Sequence, residues 1–277
     1  MTASLVLVVL FAALLHASWN AVVRGGDDKL MGTVMVTSAA GGMALLALPW
    51  LPAPAAASWG YIAASALVQV VYFRLVAAAY HAGQMSQAYP LIRGTAPLLV
   101  ALASGPLLGE SLSVLRWLAL GTLCGGILVL VWQGRGAGRA ATGYALINAL
   151  VIACYTLIDG LGVRLSGAPA AYTLWIFLLT AVPLLLWTLL CRRGAFSSEL
   201  RSRWHYGLLG GAGTLLSYGL ALWAMTLAPV ALVAALRETS ILFGLLIAWL
   251  FLGERIGRVQ GLAIALIALG AVLLRLS

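Results

Sequence analysis

Ten stretches of about twenty mainly apolar residues, separated by short polar punctuation, constrain this chain more tightly than any motif in it. A helix rises 1.5 Å per residue, so ~20 residues cross a ~30 Å hydrocarbon core. The stretches lie at about 4–23, 31–50, 59–80, 85–108, 113–132, 143–163, 170–190, 206–226, 229–252 and 259–275. Of the 277 residues, 63% are hydrophobic and 8% charged, where a soluble domain carries about 25% charged residues. That composition excludes a cytosolic enzyme, a disordered chain and a disulfide-stapled domain. It predicts an all-α membrane protein of ten transmembrane helices in the lipid bilayer. The net charge of +9 is not a nucleic-acid signal, because the basic residues lie singly between apolar blocks, as topology-setting loop charges do. The first stretch lacks a basic leader and runs on to Val23, so it reads as a retained span rather than a cleaved signal. Cys124, Cys154 and Cys191 have no CxxC spacing and read as buried packing thiols.

Sliding the chain by 144 residues lays Arg93-Gly94-Thr95 on Arg237-Glu238-Thr239 and Leu108-Gly109-Glu110 on Leu252-Gly253-Glu254. Ala119 and Gly126 then fall on Ala263 and Gly270. One register therefore relates two five-span units, 1–133 and 134–277. Five is odd, so the second unit enters the membrane inverted, an architecture of secondary transporters with a substrate site between the halves near the midplane. Ten Lys and Arg residues lie in connections after odd-numbered spans, and three lie in even-numbered connections plus the C-terminal end. This places the odd connections in the cytoplasm and both termini outside.

Polar side chains inside the spans are the candidate site, since a charge near the bilayer centre costs at least about 2.5–3.5 kcal/mol. Arg93 lies about nine residues into its span, or ~13 Å, and Arg237 reaches a similar depth from the opposite side. Either they face a central cavity and bind an anionic group, for which a guanidinium suits carboxylate or phosphate, or they form a buried ion pair with Asp159 or Glu238. Asn148, Ile152, Tyr155 and Asp159 share one face of the sixth span. Asp159 there could bind an amine, carry a proton or pair with Arg164. His16, Asn20 and Arg24 form a polar stripe on the first span, beside Trp19, and His16 could titrate during transport. Arg74, Ala78 and His81 form another on the third, with Arg74 near enough to the end to snorkel. Tyr80, His81 and Tyr89 could wall a cavity mouth or belong to an interfacial aromatic belt. Trp175, Tyr218 and Trp223 either pack or line the cavity. Glu110 and Glu254 read as structural acids at span ends, and Gly121-x-x-x-Gly125 permits close helix contact, within a monomer or between two copies.

No HExxH, GxSxG, P-loop or Cys/His cluster with metal spacing occurs, so neither an enzyme nor a cofactor or metal is expected. The loops offer nowhere to bind ATP, which leaves proton coupling or passive exchange as the energy source.

The two five-span repeats, each with a fourth span ending in Leu-Gly-Glu before a Gly-rich fifth, resemble the drug/metabolite transporter superfamily in its EamA-type ten-helix branch. Pro97 matches the proline usual in that fourth helix, whereas Ile241 stands at the equivalent place in the second repeat. The resemblance implies a basket-like bundle in the cell inner membrane, alternating access, and small-molecule substrates such as amino acids, nucleotide sugars or sugar phosphates. Many relatives have cytoplasmic termini, opposite to the charge count. Midplane cations (Arg93, Arg237) beside midplane acids (Asp159, Glu238) and aromatic walls suit a zwitterion, so export of amino acids, aromatic or otherwise neutral, is the leading expectation. Exchange of anionic phosphate or phosphonate esters and multidrug efflux are the alternatives. With no acid between Met1 and Val23, simple export of lipophilic cations fits poorly. The charge count is tested by a C-terminal reporter that fluoresces only in the cytoplasm: it should stay dark, and a bright signal reverses the topology.

Overall fold

The computed structural model describes residues 1–24, 29–82, 85–133, 138–252 and 257–277, leaving aside the side chains at 21–24, 29, 73, 76–82, 85–89, 132–133, 248 and 251–252. The chain is an all-α membrane protein with no strand among the described residues. Its helices are α1 (Ala3–Arg24), α2 (Lys29–Ala47), α3 (Trp59–Ala82), α4 (Met85–Leu108), α5 (Val114–Val129), α6 (Arg139–Ser166), α7 (Pro169–Cys191), α8 (Arg193–Met225), α9 (Val230–Arg237), α10 (Ser240–Leu252) and α11 (Arg258–Leu276). Among the described residues, eight apolar segments are long enough to cross a membrane, counting α9 and α10 as one, and α3 and α5 supply two shorter ones. The ten segments coincide with the ten expected spans. The 16 residues of α5 rise about 24 Å, and the 3-10 turn Leu130–Gln133 adds about 8 Å, enough to span.

Two elements depart from the sequence reading. The connection about 191–205, left between the seventh and eighth expected spans, is helical: α8 begins at Arg193 and changes direction at Arg203, whose backbone is non-helical (φ −135°, ψ 18°). The early segment is amphipathic, and its Phe196 is buried among Met31, Val34 and Met35 at the start of α2. That contact stabilises helix where composition alone suggests a loop. The ninth span, expected as one helix over 229–252, is broken at Glu238-Thr239 into α9 and α10.

The helix neighbours occur in matched pairs under the 144-residue shift. Helix α3 packs on α6 as α8 packs on α1; α4 packs on α6 as α10 packs on α1; α2 packs on α8 as α7 packs on α3. Helices α2 and α7 meet each other, as do α5 and α11. The α5–α11 contact is made by Gly126 and Gly270. A Cβ on Gly270 would lie 2.6 Å from the Leu123 nitrogen, and one on Gly126 would lie 2.9 Å from the Ile267 nitrogen. In lipid, where no hydrophobic force drives helices together, such close approach gives the van der Waals packing that holds them. The expected Gly121-x-x-x-Gly125 seam does not do this: a Cβ at either position meets nothing within 4 Å. The face carrying 126 is one position further round the helix. Cys124 is buried as expected, but Cys154 and Cys191 are exposed, because their helices present an apolar outer face that needs no protein cover.

The two ends of the bundle use arginine differently. Arg192, Arg193 and Arg201 are exposed at the end where α8 meets α2. Elsewhere, Arg116 donates twice to the Ser277 carbonyl (3.2 and 3.1 Å). Arg164 donates to the carbonyls of Met225 (2.8 Å) and Ala228 (3.0 Å) and to Glu110 (2.7 Å). The pairing of Asp159 with Arg164 considered from sequence is therefore not made. Gly109, with φ +68°, ends α4 in the left-handed conformation that glycine favours. The turn delivers Glu110 to the Val230 amide (2.8 Å), where its carboxylate caps the N-terminus of α9. Glu254, in the second Leu-Gly-Glu, lies outside the described residues.

The α5–α11 seam predicts that Gly270→Leu lowers thermal stability by about 1–3 kcal/mol, the usual cost of overpacking. Gly125→Leu, which points into open space, should leave the melting temperature unchanged. Equal losses in both variants, read by thermal unfolding of purified protein, would refute the assignment.

Candidate functional site

The centre of the bundle is organised by the break between α9 and α10. At the break the Ile241 amide bonds the Glu238 carbonyl (3.0 Å) and the Leu242 amide bonds the Thr239 carbonyl (2.9 Å), both i to i−3. The Ile241 amide is thus turned away from its α-helical acceptor, the Arg237 carbonyl. The Thr239 hydroxyl donates back to the Leu236 carbonyl (2.6 Å), a contact that bends helices. In α4 the equivalent position is Pro97, which has no N–H to give the Arg93 carbonyl. The two fourth spans therefore interrupt the same hydrogen bond by different means. The break also places Arg237 at the C-terminus of α9 and Glu238 just before the N-terminus of α10, each at the helix end whose dipole favours its charge.

Around this break lie two adjoining cavities. The larger, about 80 Å³, is lined by His16 and Trp19 of α1, by Thr33, Val36 and Thr37 of α2, and by Gln69 and Tyr72 of α3. Tyr155, Phe177, Thr214, Tyr218 and Arg237 complete it. It has room for about five to eight waters at roughly 10–15 Å³ each. The smaller, about 10 Å³, is lined by Arg93, Ala96, Pro97 and Val100 of α4, by Ile152, Tyr155 and Thr156 of α6, and by Ala234, Arg237 and Glu238. Tyr155 and Arg237 wall both.

The two deep arginines are used differently. Arg93 is buried and donates to Glu238 Oε1 at 3.0 Å, a contact that ties α4 to the break in the other half. Its second amino group meets His16 Nε2. Arg237 makes no ion pair among the described residues; its guanidinium lies over the Tyr218 ring, 5.0 Å from the centroid. Asp159 is fully buried and lines neither cavity. Its oxygens accept from Tyr172 (3.1 Å) and from Tyr218, so it acts on the cavity through the Tyr218 ring. Tyr72, Tyr155, Tyr218 and Phe177 follow one another in edge-to-face contacts with centroids 5.9, 6.4 and 6.0 Å apart.

Of the residues singled out from sequence, Arg93, Arg237, Glu238, Tyr155, Tyr218, His16 and Trp19 meet around the two cavities. Asn20 does not: its amide donates to the His16 carbonyl (2.8 Å) within α1. Trp175 packs its ring on Trp59 at 4.9 Å, and Trp223 is exposed. Arg74 is also exposed. The side chains of Tyr80, His81 and Tyr89 lie outside those described. Sequence reasoning missed Gln69, Tyr72, Phe177, Thr33, Thr37 and Thr214. The helical spacing of Ser65, Gln69 and Tyr72 was a usable signal, with the Gln69 amide donating to Ser65 at 3.1 Å. So was the i, i+4 pair Thr33 and Thr37 on an otherwise apolar face.

No curated protein matches this chain. A solved crystal structure, described only as that of a protein, superposes over 100% of this chain and 99% of its own with a TM-score of 0.80. At 18% identity that likeness is one of fold. Residues 140–276 match the EamA-like transporter family. With ten apolar helical segments around a central cavity, residues 140–276 form an EamA-like transporter family domain, consistent with the drug/metabolite transporter superfamily, and the chain is a multi-pass membrane transporter of small molecules.

Proposed function

We propose that the protein is a secondary transporter that exports amino acids, aromatic or otherwise neutral, or similar small zwitterions across the inner membrane by alternating access. The observation that carries this reading is Arg237: a guanidinium on the wall of both cavities, with no carboxylate in ion-pairing range among the described residues. A carboxylate accepts a bidentate pair of bonds from such a group. On the neighbouring residue, Glu238 Oε2 is buried with no hydrogen-bond partner among the described residues, an acceptor suited to the substrate ammonium. Trp19, Tyr72, Tyr155, Phe177 and Tyr218 offer apolar rings to the side chain. The units that move are the two halves, 1–133 and 134–277, and the interrupted helices α4 and α9–α10 are where backbone can bend without losing further hydrogen bonds. A lipophilic cation is disfavoured, because it would enter a cavity walled by an unpaired guanidinium.

Exchange of phosphate or phosphonate esters is the second reading, favoured by the excess of guanidinium over free carboxylate at the cavity. The two readings separate on Glu238.

Proteoliposomes holding the purified protein should take up labelled phenylalanine or another neutral amino acid saturably. A hydrogen bond to a charged group contributes about 1.5–3 kcal/mol, so Arg237→Gln should weaken uptake about ten- to a hundred-fold. Glu238→Gln should impair amino acids more than their deaminated carboxylate analogues. No saturable uptake across a broad amino-acid panel, together with uptake of a phosphate ester that survives Glu238→Gln, would replace this reading with the second.

A further inference from the structure

The first helix carries its one imidazole, His16, at the junction of the two cavities. The ring lines the larger cavity, and its Nε2 meets the Arg93 amino group from the smaller one. A guanidinium has five N–H donors, no acceptor and no proton to lose. In this contact Nε2 must therefore be the bare nitrogen, with the ring proton on Nδ1. The same lone pair cannot hold Arg93 and a proton together. Trp19, edge-on to the ring at 5.3 Å, restricts how the imidazole can turn away.

We propose that His16 is a proton-binding site, and that taking up a proton there releases α1 from Arg93 and couples transport to proton movement. Hydronium in the cavity gives its proton to Nε2 and leaves water; the Arg93 N–H···Nε2 bond breaks and the ring becomes imidazolium. Two guanidinium groups then face it, Arg93 from α4 and Arg237 from α9. Among the described residues the remaining charged neighbour is Glu238 at the break, which already holds Arg93 at 3.0 Å and whose Oε2 has no hydrogen-bond partner there. The other titratable groups on the same cavity walls are Tyr72 of α3, Tyr155 of α6 and Tyr218 of α8, the last bonded to Asp159. From α2 the cavity receives Thr33, Val36 and Thr37, and α10 contains no titratable side chain. Glu238 is thus the counter-charge an imidazolium would seek.

The consequence is exchange. An imidazolium on Glu238 occupies the oxygen that the substrate ammonium needs in the reading above, on which this directional step rests, so proton and substrate take turns. The contact also bridges α1, α4 and the α9–α10 break. Its making and breaking therefore changes what holds the two halves together at their centre, as alternation requires.

Two measurements test this, and they separate it from the substrate assignment. In histidine-¹⁵N NMR of the full-length protein in nanodiscs, with the signal assigned by its loss in His16→Gln, His16 should show the Nδ1–H tautomer at about pH 8. It should become doubly protonated as the pH is lowered from there. Its titration should move when Arg93 is changed to Gln. A proton on Nε2 at about pH 8, or a titration indifferent to Arg93→Gln, overturns the proposal. In proteoliposomes with an acid interior, wild type should concentrate labelled phenylalanine above its level without a gradient. In His16→Gln, the ratio of gradient-driven accumulation to counterflow should fall to the gradient-free value. A ratio equal to that of wild type also overturns the proposal. If no labelled amino acid is moved by either protein, the substrate assignment fails, and the NMR measurement alone decides the fate of the proton site.

Discussion

A guanidinium in the middle of a bilayer has to be answered by protein, since lipid offers it nothing, and the rest of the core is arranged around that requirement. Arg93 is answered twice, by Glu238 of the opposite half and by His16 of the first helix. Removing one partner of such a pair strands a buried charge and costs about 3–5 kcal/mol. The three segments that contribute are therefore held in one relation for as long as the contact lasts. The break between α9 and α10 is what makes the contact reachable. A continuous helix would hold Glu238 in the i−4 ladder, whereas the 3-10 turn places it where a carboxylate meets Arg93 and faces the cavity.

The two halves share an Arg-x-Thr at this depth, and the residue between explains why they do different work. In the first half it is Gly94, where a Cβ would lie 2.9 Å from the Leu128 side chain; there is no space for an acid. In the second half it is Glu238, which answers the arginine of the first. Among the described residues no acid answers Arg237 in return, and it leans on the Tyr218 ring instead. A strictly symmetric pair of repeats would satisfy both arginines or neither. This chain pairs Arg93 with an acid and, among the described residues, leaves Arg237 without one.

Much of the frame was legible because each span must be about twenty apolar residues long, and the ten segments observed follow from that single constraint. The details hidden from the sequence are those decided by tertiary contact. Nothing between 229 and 252 announces a break at 238–239, since Ile241 is a good helix residue and the turn arises from where its amide points. The charged stretch after Cys191 folds as helix because Phe196 finds Met31 and Met35. Gly126 and Gly121 look alike in sequence, but the first meets α11 and the second meets nothing. At the site, charges were visible because each is costly in lipid. Gln69 and Thr37 were not, because an amide or hydroxyl is cheap enough there to satisfy itself along its own helix, as Gln69 does on Ser65 and Thr37 on the Thr33 carbonyl. Asp159 was visible too, yet its partners are Tyr172 and Tyr218 rather than Arg164, and only the fold brings three helices together there.

That placement of Asp159 bears on how the cavity keeps its shape. The Tyr218 ring carries Arg237 on its face and gives its hydroxyl to Asp159, so one phenol joins a buried carboxylate to a cavity cation without letting them touch. A direct Asp159–Arg237 pair would neutralise the guanidinium and close the site. With the ring between them, Asp159 fixes where Tyr218 stands, and the cation–π contact holds Arg237 in place while its N–H donors remain available. An exposed arginine in water keeps such donors free at no cost. At this depth it takes a ring, a carboxylate behind it and a broken helix to do the same.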